Sequence, residues 1–427
     1  MRLQDTLTGS LVELPEPPEP IGMYVCGPTV YQRAHIGNAR PFVVFMWLAR
    51  WLRERGHEVR FVHNITDVND KIYEAAPGHS AELAVDATRW YLEDTSGFGL
   101  GLPDAQPLAT ATMPDIVAMI DELIASGFAY AVDGDVYFRV ARFPTYGALS
   151  GQRPDQVEEQ EPNPAKEDPR DFALWKATKE GEDTSWEAPW GVGRPGWHIE
   201  CSAMAAKELG PKFWIHGGGL DLVFPHHENE RAQSLAVGHP FARIWMHNGM
   251  LRFTGEKMSK SLGNVATIRE VLDEWGAETV LLFFLTAHWR KPIDFSEETM
   301  TAARAQAETL RNALRGETRT TGDWQALVDA LEDDFNTPAA LAVMHEWARA
   351  GALDELRRGL AIFGLGGLAA ADEAPAAVMA LAAQRVEARE ARDFAEADRL
   401  RAEIENAGWE VRDTSGPPFF QLVRRAA

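Results

Sequence analysis

Chemistry concentrates in five stretches of the chain. In the first, a strand-like Tyr24-Val25 leads into Cys26, a Gly27-Pro28-Thr29 turn, and His35-Ile-Gly37-Asn38 at the start of a helical run. A histidine, a glycine and free backbone N–H groups at a strand-to-helix switch suit phosphate. Gly37 also lets a flat base lie against the backbone, although a plain helix cap explains the same residues. In the second stretch, the alternating Val59, Phe61 and His63 run into Asn64-Ile-Thr66-Asp67-Val-Asn69-Asp70-Lys71, which offers a hydroxyl and carboxylates to an amine or a ribose, or simply caps a helix. The third is Gly196-Trp197-His198-Ile-Glu-Cys201. The fourth, Phe213-Trp-Ile-His216-Gly217-Gly-Gly219-Leu-Asp221, ends an apolar run in glycines, where backbone must approach a ligand or where a Gly-rich turn serves tight packing alone. Asp221 is placed to accept hydrogen bonds from ribose hydroxyls. The fifth is Gly255-Glu-Lys257-Met-Ser-Lys260-Ser261, a cationic loop able to close on a triphosphate, although many such loops are only solvated.

Cys26, Cys201, His226 and Glu230 form a candidate zinc set. His226 and Glu230 are four apart and share a helix face, and zinc accepts thiolate, imidazole and carboxylate ligands. The two cysteines are too distant for a compact finger. Two buried thiols with a surface His–Glu pair fit the spacing alone better, and His227 and Glu228 remain alternative ligands.

The elements that must position these residues are those of an open α/β sheet, with ligands at the carboxyl ends of its strands. A helical stripe from Phe42 to Leu52 stops at Gly56. Residues 112–192 read as an insertion between two halves of the sheet, with a helix at Ile116–Ser126 and a hairpin turning at Asp133-Gly134. Residues 151–195 show little periodicity, and a short strand is expected at Trp245–Leu251. Composition sets outer limits. The 427 residues imply about two to four domains. No run of about 18 apolar residues spans a membrane, and Met1–Thr6 lacks a signal-peptide core. Two cysteines make no disulfide framework and suit a reducing cytoplasm. A net charge of −22 argues against indiscriminate nucleic-acid coating, while leaving room for a local track for one RNA.

Taken together, the stretches resemble a known family. His35-Ile-Gly-Asn38 resembles the HIGH signature, and Lys257-Met-Ser-Lys-Ser261 matches the KMSKS signature, of class I aminoacyl-tRNA synthetases. Tyr-Val-Cys26-Gly-Pro-Thr-Val-Tyr, Gly-Trp-His-Ile-Glu-Cys201, His216-Gly-Gly-Gly-Leu-Asp-Leu and Phe-Pro-His-His-Glu-Asn-Glu230 look specifically like cysteinyl-tRNA synthetase, in order over essentially the whole chain. Asn38 stands for the last His of HIGH, and Asn69 stands where the family usually has Asp. The resemblance implies an α/β fold: a Rossmann-like parallel-sheet catalytic domain with an insertion, an α-helical bundle and a small C-terminal α+β unit. It implies activation of L-cysteine by ATP, with magnesium, and transfer to the tRNA for cysteine. It also implies one zinc on Cys26, Cys201, His226 and Glu230. His35, Asn38, Lys257 and Lys260 would be catalytic, and would bind ATP together with Gly37, Gly217 and Asp221. Thr66 and Trp197 would hold the cysteine. Because a substrate thiolate can bind the metal and a serine hydroxyl cannot do so comparably, no editing site is expected in the insertion. A monomer is expected from the family.

The corresponding domains are 1–111 with 193–250 (catalytic), 112–192 (insertion), 251–296 (KMSKS loop and stem contact), 297–370 (three or four tRNA-binding helices) and 377–427 (anticodon-binding unit). In the last, a helix over 377–406 precedes two strands. From Arg385 onward eight Lys and Arg face nine Asp and Glu, a balance of −1. Arg389, Phe394 and Asp398 match the family's anticodon-binding end, and an arginine beside an aromatic suits unstacked bases. The main rival is an RNA-free ligase joining cysteine to an amino sugar, as in mycothiol synthesis, which resembles the catalytic part. The terminal unit, Asn64–Lys71 and His216 favour the synthetase.

Overall fold

The computed structural model describes residues 1–153, 162–253, 266–369, 374–414 and 416–424. The chain begins with a hairpin of β1 (Arg2–Asp5) and β2 (Ser10–Glu13). β3 (Ile21–Val25), α1 (Ile36–Glu54) and β4 (Val59–His63) form the first parallel unit. α2 (Asp70–Ala75) and α3 (Ser80–Ser96) follow. After the inserted elements, α5 (Trp197–Leu209), β9 (Lys212–Gly219), α6 (Glu228–Ala236) and β10 (Phe241–Asn248) return to the same sheet. Its order is β10-β9-β3-β4, all parallel. β4 therefore lies on one side of β3 and β9 on the other. Loops leaving β3 and β9 diverge, and a crevice opens at their carboxyl ends.

α1 explains its own position. Every residue from Phe42 to Ala49 is buried, as in a helix covered on both faces. One face lies on the sheet. On the other, Trp47 Nε1 donates to the Phe363 carbonyl at 2.9 Å and ties the later helices to it.

The insertion holds α4 (Met113–Ala125) and an antiparallel sheet of β5 (Ala129–Val132), β6 (Asp135–Phe138), β7 (Phe172–Ala177) and β8 (Gly193–Pro195). Asp133 and Gly134, with φ of 50° and 89°, make the expected hairpin turn. β7 and β8 were not legible: β8 is three residues long, and β7 breaks the alternation by burying adjacent Leu174 and Trp175. β8 pairs with β7, so 193–195 extends the insertion rather than opening the second half of the parallel sheet.

Past β10, the expected strand at 245–251 proves to be two: β10 ends at Asn248, and β11 (Leu251–Phe253) pairs in parallel with β12 (Ile293–Phe295). Between those two strands lie α7 (Ile268–Trp275) and α8 (Ala277–Leu285). Then come α9 (Glu297–Leu314), α10 (Trp324–Glu332), α11 (Thr337–Ala350) and α12 (Leu353–Ile362). The single helix expected at 377–406 is two, α13 (Ala376–Glu390) and α14 (Phe394–Asn406). Arg392 turns left-handed there with φ of 60°, and the Asp393 carboxylate accepts from Glu396 N at 3.1 Å, capping α14. β13 (Trp409–Asp413) and β14 (Phe420–Arg424) pair antiparallel, as expected. Among the described residues no helix is long and apolar enough to cross a membrane.

Candidate functional site

The crevice gathers the distant cysteines. Cys26 follows β3, and its N–H donates to the Gly217 carbonyl of β9 at 3.0 Å. Cys201 sits in α5, and His226 and Glu230 flank the start of α6. One donor atom from each of Cys26, Cys201, His226 and Glu230 lies within 4.8 Å of the others, all buried. Glu230 Oε1 is 3.4 Å from Cys26 Sγ and 3.1 Å from His226 Nε2. A second set shares two members and adds His216 and His227. His216 Nε2 lies 3.6 Å from Cys26 Sγ and 3.3 Å from Glu230 Oε2. Glu228 is withdrawn from the cluster: its Oε2 accepts from the backbone N–H groups of Leu149 and Ser150 at 3.0 and 2.9 Å.

Hydrogen bonds aim these imidazoles. His226 Nδ1 meets His198 Nδ1 at 2.9 Å, leaving Nε2 for the cluster. His227 Nδ1 meets His247 Nε2 at 2.8 Å, and His247 Nδ1 meets the Thr6 hydroxyl at 2.7 Å. Burial, reinforced by neighbouring imidazoles, pushes His226 and His227 well down, so both are neutral, the state a ligand requires. Burial pushes the Cys26 and Cys201 thiols up, and a divalent cation among them would reverse this. Two thiols, imidazoles and a carboxylate, converging in a dry site, fit a metal ion.

Beside this cluster runs a cleft of about 320 Å³, lined by Cys26, His35, Gly37, Asn38, Trp197 and Asp221 among others. Trp197 stacks on His226 with ring centroids 4.2 Å apart, walling the cleft next to the donor set. His35 caps α1: its Nδ1 accepts from Gly37 N at 3.1 Å, which leaves the ring proton on Nε2. Burial lowers its pKa, partly opposed by the Asp221 charge, so the ring is neutral near pH 7. A side chain at Gly37 would put a Cβ 2.8 Å from that ring.

Two expected cleft residues sit elsewhere. Gly217 is inside β9 between β3 and β10, and a Cβ there would stand 2.1 Å from Phe45 Cζ. Its need for glycine comes from packing on α1; of the three glycines 217–219, it is Gly219 that lines the cleft. Thr66 is fully buried behind the wall, with its N–H donating to the Pro28 carbonyl at 3.1 Å. Its hydroxyl accepts from Asn64 Nδ2 at 3.4 Å, and burial holds the neighbouring Glu200 carboxyl well above the usual carboxylate range. Sequence reasoning passed over Glu200, His198 and His247 and did not place His216 among the donors. Their sequence trace is position alone: His198, Glu200 and His216 stand inside the quoted motifs, and His247 in the strand-like stretch at 245–251.

Lys257 and Lys260 lie outside the described residues. The chain on either side is anchored at the cleft: Leu251 and Phe253 line it, and Ile36 N donates to the Ala266 carbonyl at 3.0 Å. In the terminal unit, Arg389 ion-pairs with Asp413, Phe394 is 63% exposed, and Asp398, one turn further, is exposed too.

Residues 14–305 match the model for the class I (C) catalytic domain of tRNA synthetases, and residues 326–351 match the DALR domain. In fold the chain resembles the Mycobacterium tuberculosis methionyl-tRNA synthetase complexed with methionyl-adenylate. The TM-score is 0.59 at 16% identity, covering 81% of this chain and 88% of that one. It resembles the Agrobacterium radiobacter leucyl enzyme with a TM-score of 0.58 at 13% identity, covering 84% and 86%. Fold and crevice are thus those of a class I aminoacyl-tRNA synthetase. Among curated relatives, the cysteine–tRNA ligase of Halorhodospira halophila is 45% identical over 97% of this chain and 98% of its own length. That of Alkalilimnicola ehrlichii is 47% identical over 93% and 95%. The chain belongs to the cysteine–tRNA ligase family.

Proposed function

We propose that this chain activates L-cysteine with ATP, releasing pyrophosphate, and transfers the cysteinyl group to the 3′ end of the tRNA for cysteine. One observation carries the choice of amino acid: a buried set of two thiols, imidazole and carboxylate beside the cleft that begins at His35. Cys26, Cys201, His226 and Glu230 would hold zinc. Zinc there would take the substrate sulfur as a thiolate, a bond the far less acidic serine hydroxyl does not match. Trp197 closes that end of the pocket. Thr66 acts from behind the wall, through the backbone of Pro28.

At the nucleotide end, neutral His35 donates from Nε2, and Asn38 donates from its amide, to phosphate oxygens of the magnesium–ATP complex. Gly37 keeps the backbone approach open, and Asp221 accepts from ribose hydroxyls. Lys257 and Lys260 hold the departing pyrophosphate as charge moves onto it. Attack of the cysteine carboxylate on the α-phosphorus forms the mixed anhydride. A ribose hydroxyl of the terminal adenosine then attacks its carbonyl and releases AMP. Arg389, Phe394 and Asp398 read the anticodon, the catalytic and helical segments act in one monomer, and the cytoplasm is its compartment.

Cysteine-dependent ATP–pyrophosphate exchange, followed by aminoacylation of purified tRNA with the same preparation, tests this. Exchange and charging are expected together. Exchange without charging would move the assignment to the RNA-free amino-sugar ligase, and no exchange despite bound zinc would overturn it.

A further inference from the structure

Two cationic side chains line the cleft among the described residues, Arg33 and Lys71. Arg33 is already engaged: it ion-pairs with the buried Asp94 at 2.7 Å and lies over the Trp90 ring at 5.5 Å. Lys71 is not. Its side chain is exposed and Nζ stands 5.5 Å over the Tyr31 ring, also on the cleft wall. Among the described residues, no carboxylate lies within ion-pair distance of it. Of the three acids nearest in sequence, Glu74 is exposed and makes no ion pair with it, and the other two are turned to other partners. Asp70 ion-pairs with Lys176 at 2.8 Å and with Arg194. Asp67 accepts from the Thr110 N–H at 3.0 Å and from the Thr110 hydroxyl. A lysine kept from its sequence neighbours, and held over an aromatic face at the wall of a cleft, is a standing cation awaiting an anion.

We infer that Lys71 is a further substrate-binding residue, whose ammonium takes a phosphate oxyanion entering the cleft. The inference rests on the synthetase reading above. The substrates bring that anion from two sources, the ATP phosphates and the phosphodiester next to the tRNA terminal adenosine. Lys71 stands on the segment that follows β4, far in sequence from Lys257 and Lys260.

The test uses full-length, zinc-loaded enzyme with Lys71→Met, which keeps the apolar stem over Tyr31 and removes the charge, and Lys71→Arg, which restores it. ATP–pyrophosphate exchange is measured against ATP, and aminoacylation against tRNA at several salt concentrations. Losing one charge-assisted hydrogen bond should raise one KM about tenfold in the methionine variant, and arginine should bring it back to within about threefold. A rise in the KM for ATP in exchange assigns the phosphate to ATP. A rise confined to the KM for tRNA, with the log–log salt slope shallower by about 0.7, assigns it to the tRNA. Wild-type KM values in the methionine variant, or an equal fall in kcat in both variants without a KM change, would overturn the inference. Wild-type enzyme in the same runs separates this from failure of the synthetase reading, which would leave the parent itself without exchange.

Discussion

Replacing Gly217 with alanine asks whether that glycine serves packing or substrate. The new Cβ would stand 2.1 Å from Phe45 Cζ and 2.5 and 2.8 Å from the two Cε atoms. Carbon atoms in contact prefer about 3.5–4.0 Å, so the ring must retreat by roughly 1.5 Å. It has nowhere easy to go: Phe45 is fully buried in α1, and Gly217 is held in register by both Val25 and Met246. Overpacking costs about 1–3 kcal/mol, and a site fixed on both sides belongs at the upper end. At about 2–4 °C per kcal/mol, the melting midpoint of zinc-loaded Gly217→Ala should fall by roughly 6–12 °C. Leucine lacks the Cε and Cζ atoms. In Gly217→Ala/Phe45→Leu the two effects should therefore fall short of additivity by at least about 1 kcal/mol. Melting curves at one scan rate, with ATP KM from exchange well below the transition, measure both. An unchanged midpoint, or additive effects with a large rise in ATP KM, would refute the packing account and return Gly217 to the nucleotide.

Three further expectations follow from the site. Cys201→Ser should leave little zinc after dialysis, by metal analysis, and lower cysteine-dependent exchange about 100-fold or more; normal zinc and rate would sink the donor set. His63 is buried, its Nδ1 3.1 Å from the Val25 carbonyl and Nε2 2.7 Å from the Tyr91 hydroxyl, and burial lowers its pKa to about 4. Between about pH 6.5 and pH 4 the unfolded chain binds a proton that the native one refuses, so native stability falls as pH falls, by about 3 kcal/mol. His63→Gln should show a correspondingly shallower acid dependence of unfolding, and parallel curves would contradict the assignment. Phe394→Ala should raise the tRNA KM by roughly 5- to 100-fold, the worth of one stacked base, with exchange untouched; an equal loss in both reactions would make the terminal unit structural.

What the sequence disclosed tracks how local each cause is. The Asp133-Gly134 turn needs positive φ at two neighbouring residues, and its hairpin stands where expected. Arg392 also turns left-handed, but arginine carries no such preference, so the break between α13 and α14 was invisible. Asp393 could have betrayed it, as an acid three residues before Glu396 at a helix start. Asn69, which departs from the family's usual aspartate, proves to be the cap of α2, accepting from Lys71 N at 3.2 Å. Asparagine and aspartate cap almost equally well, so that departure leaves the local fold intact.

The donor set shows the opposite limit. Cys26 and Glu230 are 204 residues apart, and no spacing rule links them. They meet because the strand order β10-β9-β3-β4 makes β3 and β9 neighbours while sending their following segments to opposite sides. Cys26 leaves β3 at the point where β9 presents His216 and then leads into α6 with His226 and Glu230. The same β3 terminus leads on to His35 and the start of α1. One strand end thus borders both the thiol-selecting donors and the nucleotide cleft. Motif resemblance could name those residues one by one. It could not show that His216 and His227 also face Glu230, that Glu228 turns away, or that Gly217 answers to Phe45, because each depends on the direction a side chain takes once the sheet is assembled.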